Sequence, residues 1–315
     1  MSHCVLIADN LAPVASGVLT DAGFTVSTRH GLDEDQMVDA VKGYHGVLVR
    51  SAVKMTSRII EAGDSLKVIG RAGIGVDNID LSAAAQNDVV VLNVPGGNSI
   101  TAAEHTLALM FALARNIPAA VASLSSGRWE RQAFAGRELT GLTLGIVGFG
   151  NVGRIVADRA LGLKMRITAF DPNVPAFAME GLGVRPARSL DELLSVSDMI
   201  TVHTPLSDET RGLIGKKALA TMKMGVMLVN VSRGGVVDED ALYDALKSGH
   251  VSAAALDVFQ KEPPVDSPLL TLPNVVATPH LGASTKEAQT RVAVSIAEQV
   301  RDFLLHGRKY GEVTA

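Results

Sequence analysis

Residues 142–153 read LTLGIVGFGNVG, an apolar run followed directly by a glycine-rich turn. This order predicts a β-strand, a tight turn at Gly148 and a helix that continues through residues 154–160. Gly150 would let the backbone approach a pyrophosphate, and Gly153 would allow the helix to pack closely on the strand. The free N–H groups and the dipole at a helix N-terminus favour an anion. The stretch therefore predicts a dinucleotide site in an α/β fold.

The next predicted strand, 166–170, is followed by Asp171. Its distance from Gly153 is close to the ~20 residues expected for a carboxylate that hydrogen-bonds the ribose 2′-hydroxyl. A carboxylate there repels a 2′-phosphate, and residues 172–174 supply no arginine, so NAD is expected rather than NADP. In the alternative interpretation the glycines serve close packing alone and Asp171 is a surface turn residue.

Short apolar runs alternate with helical patterns on both sides of this stretch, which predicts an α/β protein with two doubly wound parallel sheets. Further strands are predicted at 5–8, 24–28, 46–49, 68–70, 89–92, 199–202, 226–231, 253–258 and 275–278. Helices are predicted at 33–42, 56–62 and 286–305, and from Ala103 onward. Thr101 and Glu104 fit a capping box at the start of that last helix.

The length of 315 residues suits two domains, and the net charge of -4 gives no overall reason to bind nucleic acid or an anionic membrane. Cys4, the single cysteine, is expected to be a buried inert thiol. We find no signal peptide and no run of ~18 apolar residues, which predicts a cytoplasmic protein with small-molecule ligands. Residues 311–315 carry no terminating signal, so continuation into a regulatory domain stays open.

Four predicted strands after the glycine turn are followed by His203, Arg233, Asp257 and His280. Ligands of open α/β sheets bind beyond the carboxyl ends of the strands, so these side chains are expected in one crevice. Hydride transfer at C2 of a 2-hydroxy acid needs a cation for the carboxylate, which suits Arg233, and an acid/base, which suits His280. Glu262 would favour the protonated imidazole. The alternative is a structural histidine and a solvated surface arginine.

Nine segments extend these observations along nearly the whole chain. They are VRSAVKMT (49–56), GRAGIGVDNID (70–80), VPGGNS (94–99), WER (129–131), GFGNVGR (148–154), HTPL (203–206), NVSRGGVVDEDAL (230–242), AALDVFQKEPP (254–264) and PHLGAST (279–285). On these segments the chain resembles the D-2-hydroxyacid dehydrogenase family, most closely the subgroup that acts on D-3-phosphoglycerate. The resemblance implies a Rossmann-type NAD domain, residues 99–285, inserted into a flavodoxin-like substrate domain, residues 1–98 and 286–315. It also implies a homodimer formed through the NAD domains.

The same resemblance implies roles for individual residues and no metal. Catalysis is implied for Arg233, Glu262 and His280. Cofactor contacts are implied for Gly148, Gly150, Asn151, Val152, Gly153, Arg154, Asp171, His203, Thr204, Pro205, Val231, Ser232, Asp257 and Gly282. Substrate contacts are implied for Arg50, Arg71, Ala72, Gly73, Ile74, Gly75 and Asn98, and for Arg131 across the dimer interface. Several guanidinium groups are what a phosphate requires, since each adds a charge-assisted bond.

Within its motifs the chain departs from the family at Phe149, and three functions stay open. Phe149 replaces the usual leucine of the glycine motif, and its side chain is expected to point into the packing between sheet and helix. Glu262 in place of a glutamine argues against a formate dehydrogenase. The leading hypothesis is interconversion of D-3-phosphoglycerate and 3-phosphohydroxypyruvate, a step of serine biosynthesis. The alternatives are a hydroxypyruvate/glyoxylate reductase or related 2-hydroxyacid dehydrogenase, and a non-enzymatic NAD-sensing binding protein.

Overall fold

A computed structural model describes residues 3–314 of the chain. The described chain divides into two compact units. The first unit contains the residues up to Asn98 and those from Ser284 onward, and the second unit is Ser99–Ala283. The first unit is therefore built from both ends of the chain.

The described residues form strands and helices that alternate along most of the chain. The strands are β1 (Cys4–Ile7), β2 (Thr25–Thr28), β3 (Gly46–Val49), β4 (Val68–Arg71), β5 (Val90–Leu92), β6 (Thr143–Val147), β7 (Arg166–Phe170), β8 (Arg185–Pro186), β9 (Met199–Val202), β10 (Val226–Asn230), β11 (Val251–Leu256) and β12 (Val275–Ala277). The helices are α1 (Val14–Asp21), α2 (Glu34–Ala40), α3 (Ser57–Ala62), α4 (Leu81–Gln86), α5 (Ser99–Ala114), α6 (Ile117–Ser125), α7 (Asn151–Gly162), α8 (Ala176–Glu180), α9 (Leu190–Val196), α10 (Lys216–Thr221), α11 (Glu239–Lys247) and α12 (Lys286–His306).

The first unit contains a parallel sheet of order β2-β1-β3-β4-β5, the flavodoxin-like order. Central strand β3 is buried along its whole length, as its apolar sequence predicts. Helices α1 and α12 cover one face of the sheet and α2, α3 and α4 the other. Gly70 allows α12 to approach closely, because an added Cβ would lie 2.8 Å from atoms of both Ile296 and Val300.

The second unit contains a parallel sheet of order β12-β11-β10-β9-β6-β7-β8. Counted from β6, this is the Rossmann order 3-2-1-4-5-6 with one more strand at the β12 edge. Helices α5 and α7 supply one core layer, with Met110 and Val156 fully buried. Helices α9, α10 and α11 supply the opposite layer, with Leu193 and Leu242 fully buried. The predicted fold class is confirmed for both units.

Three predictions about local structure were wrong or incomplete, the first being Cys4, which was expected to be buried and is half-buried. The capping box was wrong, because α5 begins at Ser99 and Thr101 lies buried inside its first turn. Strand β8 was missed, since two residues are too short for a pattern. Asn116, in the left-handed conformation with φ 51°, separates α5 from α6.

Among the described residues no single helix could cross a membrane, although α5 and α6, bent by 63°, have the length and composition together.

Candidate functional site

The glycine turn connects β6 to α7, as predicted from its spacing. Gly148 has φ +91°, and an added Cβ would lie 2.7 Å from the carbonyl oxygen of His203 on the neighbouring strand connection. An added Cβ on Gly153 would collide with the carbonyl oxygen of Gly148, so only glycine lets α7 start this close to β6. Gly150 has open space around its Cβ position. The turn therefore presents bare backbone at the N-terminus of α7.

Asp171 lies beside this turn and helps to hold it. Its Oδ2 accepts a hydrogen bond from Phe149 N at 2.8 Å, and its Oδ1 accepts one from Asn173 N at 2.9 Å. The Phe149 side chain is fully buried in the core between sheet and helix, as expected. Arg154 reaches back over the turn, and its Nε donates to Phe149 O at 3.1 Å. The ribose contact of Asp171 stays a prediction, but the carboxylate is correctly placed next to the turn.

A dinucleotide fits this surface on two observations from the chain itself. Thr204 Oγ1 is buried and has no hydrogen-bond partner within residues 3–314, which costs ~1–3 kcal/mol unless a ligand supplies one. Its Cγ2 lies 3.0 Å from the Cβ position of Gly148, so the hydroxyl belongs to the wall beside the glycine turn. Exposed Asn151 and Pro205 and half-buried Val152 lie on either side of this wall. We infer that these residues would hold the pyrophosphate and the adenosine half.

His203 lies at the end of β9 and is held by its own strand. The imidazole Nε2 is 2.9 Å from Thr201 Oγ1. Burial lowers the pKa of His203 to about 3, so the ring is neutral at physiological pH. A neutral, fixed imidazole can line a cofactor site without repelling or attracting its charge.

The predicted catalytic residues follow three neighbouring strands. Arg233 follows β10, Glu262 lies in the loop after β11, and His280 follows β12. His280 Nδ1 lies 2.8 Å from Glu262 Oε2, and Glu262 Oε1 accepts a hydrogen bond from Phe259 N at 3.1 Å. The pair leaves Nε2 of the exposed His280 ring for a substrate. The structure thus joins Glu262 to His280 as expected.

Arg233 is carried by a turn that sequence reasoning did not explain. Asn230, almost fully buried, accepts hydrogen bonds at Oδ1 from Ser232 N and Oγ at 3.0 and 2.8 Å, and its Nδ2 donates to Arg233 O at 3.1 Å. An added Cβ on Gly234 would collide with Phe259 O, so this turn lies against the segment that leads to Glu262. An asparagine at a strand end typically forms such a turn, and this signal in NVSRGG could have identified Asn230.

Asp257 has a role that its expected cofactor contact does not describe. Its carboxylate, 1% exposed, accepts hydrogen bonds from Thr278 Oγ1 at 2.6 Å and from the amides of Leu281 and Gly282, both at 2.7 Å. Burial alone would raise the pKa of Asp257, but these bonds and one from His105 outweigh it and lower the pKa. Asp257 is therefore an ionised anchor for the loop that carries His280. No sequence pattern connected it with His105.

The residues expected to contact substrate lie mostly at one edge of the first unit. Arg50 follows β3, and its backbone N donates to Oδ2 of buried Asp9 at 3.0 Å. Arg71 ends β4, and Gly73, at φ +151°, leaves no room for a Cβ beside the Arg71 guanidinium. Buried Ala72 and half-buried Ile74 and Gly75 continue this turn, and Asn98 Oδ1 is buried with no hydrogen-bond partner within residues 3–314. Arg131 is exposed in the other unit, between α6 and β6.

The seven-stranded sheet with its glycine turn defines the class of protein as a dinucleotide-binding α/β protein. The chain belongs to the D-isomer specific 2-hydroxyacid dehydrogenase family, because residues 107–282 match the NAD binding domain of that family. The second unit is therefore its NAD-binding domain. Among residues 3–314 no group of three or more His, Cys, Asp or Glu side chains is placed to hold a metal ion.

Individual relatives give the same family and differ in their named activities. The chain is 49% identical over 94% of its length to the D-3-phosphoglycerate dehydrogenase of Archaeoglobus fulgidus. The alignment covers 56% of that protein, so the chain spans about half the length of the curated relatives it matches. A NAD+-bound 3-phosphoglycerate dehydrogenase from Entamoeba histolytica superposes with TM-score 0.85 at 28% identity, covering 100% of this chain and 99% of that one. A glyoxylate reductase from Paecilomyes thermophila gives TM-score 0.90 at 29% identity, covering 99% and 98%.

Proposed function

We propose that the chain is an NAD-dependent dehydrogenase that interconverts D-3-phosphoglycerate and 3-phosphohydroxypyruvate, a step of serine biosynthesis. The observation that carries the proposal is the 2.8 Å pairing of His280 with Glu262 beside the Arg233 turn, within the NAD-binding domain. The substrate assignment is supported by the names of the relatives at 45–49% identity.

His280, Glu262 and Arg233 have different roles in the proposed oxidation. His280 Nε2 accepts the proton of the 2-hydroxyl while Glu262 holds Nδ1 and stabilises the imidazolium that forms. The Arg233 guanidinium binds the substrate carboxylate through its planar fork. NAD, if bound at the glycine turn, would supply the acceptor for the hydride of C2, and C2 would become a carbonyl carbon once His280 holds the hydroxyl proton. In the reverse direction His280 returns the proton to the new hydroxyl.

For the substrate phosphate we propose Arg50 and Arg71, the cations that the sequence resemblance implies. Arg50 follows β3 and Arg71 ends the adjacent strand β4 at the same edge of the sheet, where both are half-buried. Two guanidinium groups at one edge can each add a charge-assisted bond to a phosphate oxygen.

A second candidate function is glyoxylate or hydroxypyruvate reduction, which the high TM-score with a glyoxylate reductase favours. Glyoxylate and hydroxypyruvate have no phosphate, so their turnover rates relative to those of the phosphorylated pair distinguish the two candidate functions.

A substrate panel at fixed NAD(H) tests the proposal. We expect the phosphorylated pair to turn over with kcat/KM at least ~10-fold above that of glyoxylate or hydroxypyruvate. Arg50→Ala should lose ~10-fold or more of kcat/KM on the phosphorylated substrate, the scale of one charge-assisted bond, and little on the others. The control is Arg58→Ala, which removes an exposed pair with Asp35 in the same unit. Equal rates across the panel would favour the reductase, and absence of turnover with NADH binding retained would favour the NAD-sensing protein.

We further propose that the chain forms a homodimer through its NAD-binding domains. Helix α6 presents Ile117, Val121 and Leu124 at helical spacing, and the last two are 59% exposed. An exposed apolar stripe of this kind marks an interaction surface. The following segment carries Arg131, which would then reach toward the other subunit. A cytoplasmic location stays a prediction from the sequence.

A further inference from the structure

The catalytic loop, residues 278–285 between β12 and α12, is hydrogen-bonded to helix α5, which carries none of the proposed catalytic residues. His105 lies on α5, far in sequence from the loop between β12 and α12. Its Nε2 is 3.2 Å from Asp257 Oδ1 and 3.0 Å from Thr278 Oγ1. All three groups belong to the second unit, and their side chains are mostly shielded from solvent.

Asp257 also hydrogen-bonds residues on both sides of His280. The backbone N of His280 donates to the carbonyl oxygen of Asp257 at 2.9 Å. Thr278, two residues earlier, and the amides of Leu281 and Gly282, directly after, bind the Asp257 carboxylate. One aspartate thus fixes the backbone before, at and after the acid/base residue.

The hydrogen-bond donors decide where His105 carries its proton. The Thr278 hydroxyl donates to Asp257 Oδ1, so its oxygen can only accept from His105. The carboxylate is ionised and can only accept as well. His105 therefore carries a proton on Nε2 and shares it between the two oxygens. A side chain without a donor at that point would leave an acceptor of the buried carboxylate unmatched.

Close packing and an unusual backbone conformation restrict the loop around His280 to one arrangement. An added Cβ on Gly282 would lie 2.9 Å from Val231 Cγ1 and 3.1 Å from Asp257 Oδ2. His280 itself has φ 54°, a left-handed conformation that a histidine rarely adopts and that surrounding bonds must maintain. The imidazole direction therefore depends on the bonds that Asp257 and Thr278 supply.

We propose that His105 is a positioning residue for His280, and that its Nε2–H locks the Asp257–Thr278 anchor that aims the acid/base imidazole at the substrate. The inference rests on the proposed function for its catalytic consequence, but its structural part stands without it. A displacement of the imidazole by about 1 Å is enough to cost ~10²-fold in rate.

Three variants at one position separate positioning from simple packing. His105→Leu keeps the apolar volume and removes the donor, His105→Gln places an amide N–H near the Nε2 position, and His105→Asn is too short to do so. We expect kcat to fall ~10-fold or more in His105→Leu and His105→Asn, with the Kd for NADH within about 2-fold of wild type. His105→Gln should recover kcat to within ~3-fold.

The pH profile adds a readout that packing alone would not change. His105 helps to keep the pKa of Asp257 low, so loss of the donor raises that pKa. Of the titratable side chains, that of His105 on α5 contacts the Asp257 carboxylate, whereas His280 contacts Asp257 through its backbone N and pairs its ring with Glu262. The acidic limb of kcat/KM should therefore move to higher pH in His105→Leu and return in His105→Gln. A lower melting temperature with kcat and the pH profile unchanged would overturn the inference.

Hydrogen exchange tests the anchor without any substrate. We expect the amides of Leu281 and Gly282 to exchange at least ~10-fold faster in His105→Leu than in wild type or His105→Gln. If wild type turns over no 2-hydroxy acid, the proposed function fails, and this measurement still decides whether His105 holds the loop. Thr278→Val removes the bond from His105 to Thr278 and the bond from Thr278 to Asp257, so it weakens the same anchor from the loop side and serves if His105→Leu does not fold. Unchanged exchange in both variants would overturn the inference.

Discussion

At position 280 a histidine occupies a left-handed backbone conformation, and its proposed role can be removed without disturbing that backbone. His280→Asn suits the conformation because asparagine adopts positive φ more readily than most residues. We expect kcat to fall ~10²-fold to 10⁴-fold, the scale of an acid/base group, with the Kd for NADH within about 2-fold. Steady-state kinetics and NADH fluorescence titration measure both. A loss of less than ~10-fold would remove His280 from the mechanism.

His203 gives a pH prediction at the same scale. Burial lowers its pKa from 6.5 to about 3, so between these values the unfolded chain binds a proton that the folded chain does not. The free energy of unfolding should therefore decrease as pH falls below 6.5, and be unaffected by this group above it. Since a single proton is involved, this dependence is at most about 1.4 kcal/mol per pH unit. Urea unfolding of wild type and His203→Gln at pH 5 and 7 measures the difference.

Single residues also mark how far the sequence could predict the site. Arg233, Glu262 and His280 were predictable because each follows a strand whose end lies at the ligand-binding edge. His105 was not, because it has the helical spacing of an ordinary core residue, and only folding brings it to Asp257. Asn230 was missed although an asparagine at a strand end indicates a turn, because that pattern does not show that the turn carries Arg233.

At the scale of elements, two glycines of α7 form a matched pair. Gly153→Ala would force the start of α7 away from Gly148 O, and should cost ~1–3 kcal/mol and weaken NADH binding. Gly162→Ala, at the other end of the helix, meets nothing within 4 Å and should be neutral or stabilising by up to ~1 kcal/mol. Denaturation midpoints and NADH titrations compare them. Equal effects would contradict a packing role for Gly153.

The elements themselves were predicted from the sequence where patterns were long. Central strand β3 has an uninterrupted apolar run, because both of its faces are covered. The start of α5 was misplaced because Thr101 and Glu104 have capping-box spacing, whereas the structure places both inside the helix. Capping signals are short, and tertiary packing of α5 against the sheet outweighs them.

At the scale of the whole molecule, the apolar stripe of α6 predicts an assembly. Val121→Glu places a charge in the proposed interface and should convert the dimer to monomer, because a buried unpaired charge costs several kcal/mol. Met224→Glu changes a residue that is 75% exposed elsewhere in the second unit and should leave the assembly intact. Analytical ultracentrifugation measures the mass of each. A monomeric wild type would contradict the proposed dimer.

The first unit is completed by α12, whose residues Ile296 and Val300 pack against strands near the other end of the chain. During synthesis these partners leave the ribosome only after the whole second unit has emerged. The second unit of the nascent chain can therefore fold first, while the apolar sheet face that contains Leu48 and Val68 is still without its α12 partner. Such a chain needs protection from aggregation until α12 has emerged and packed.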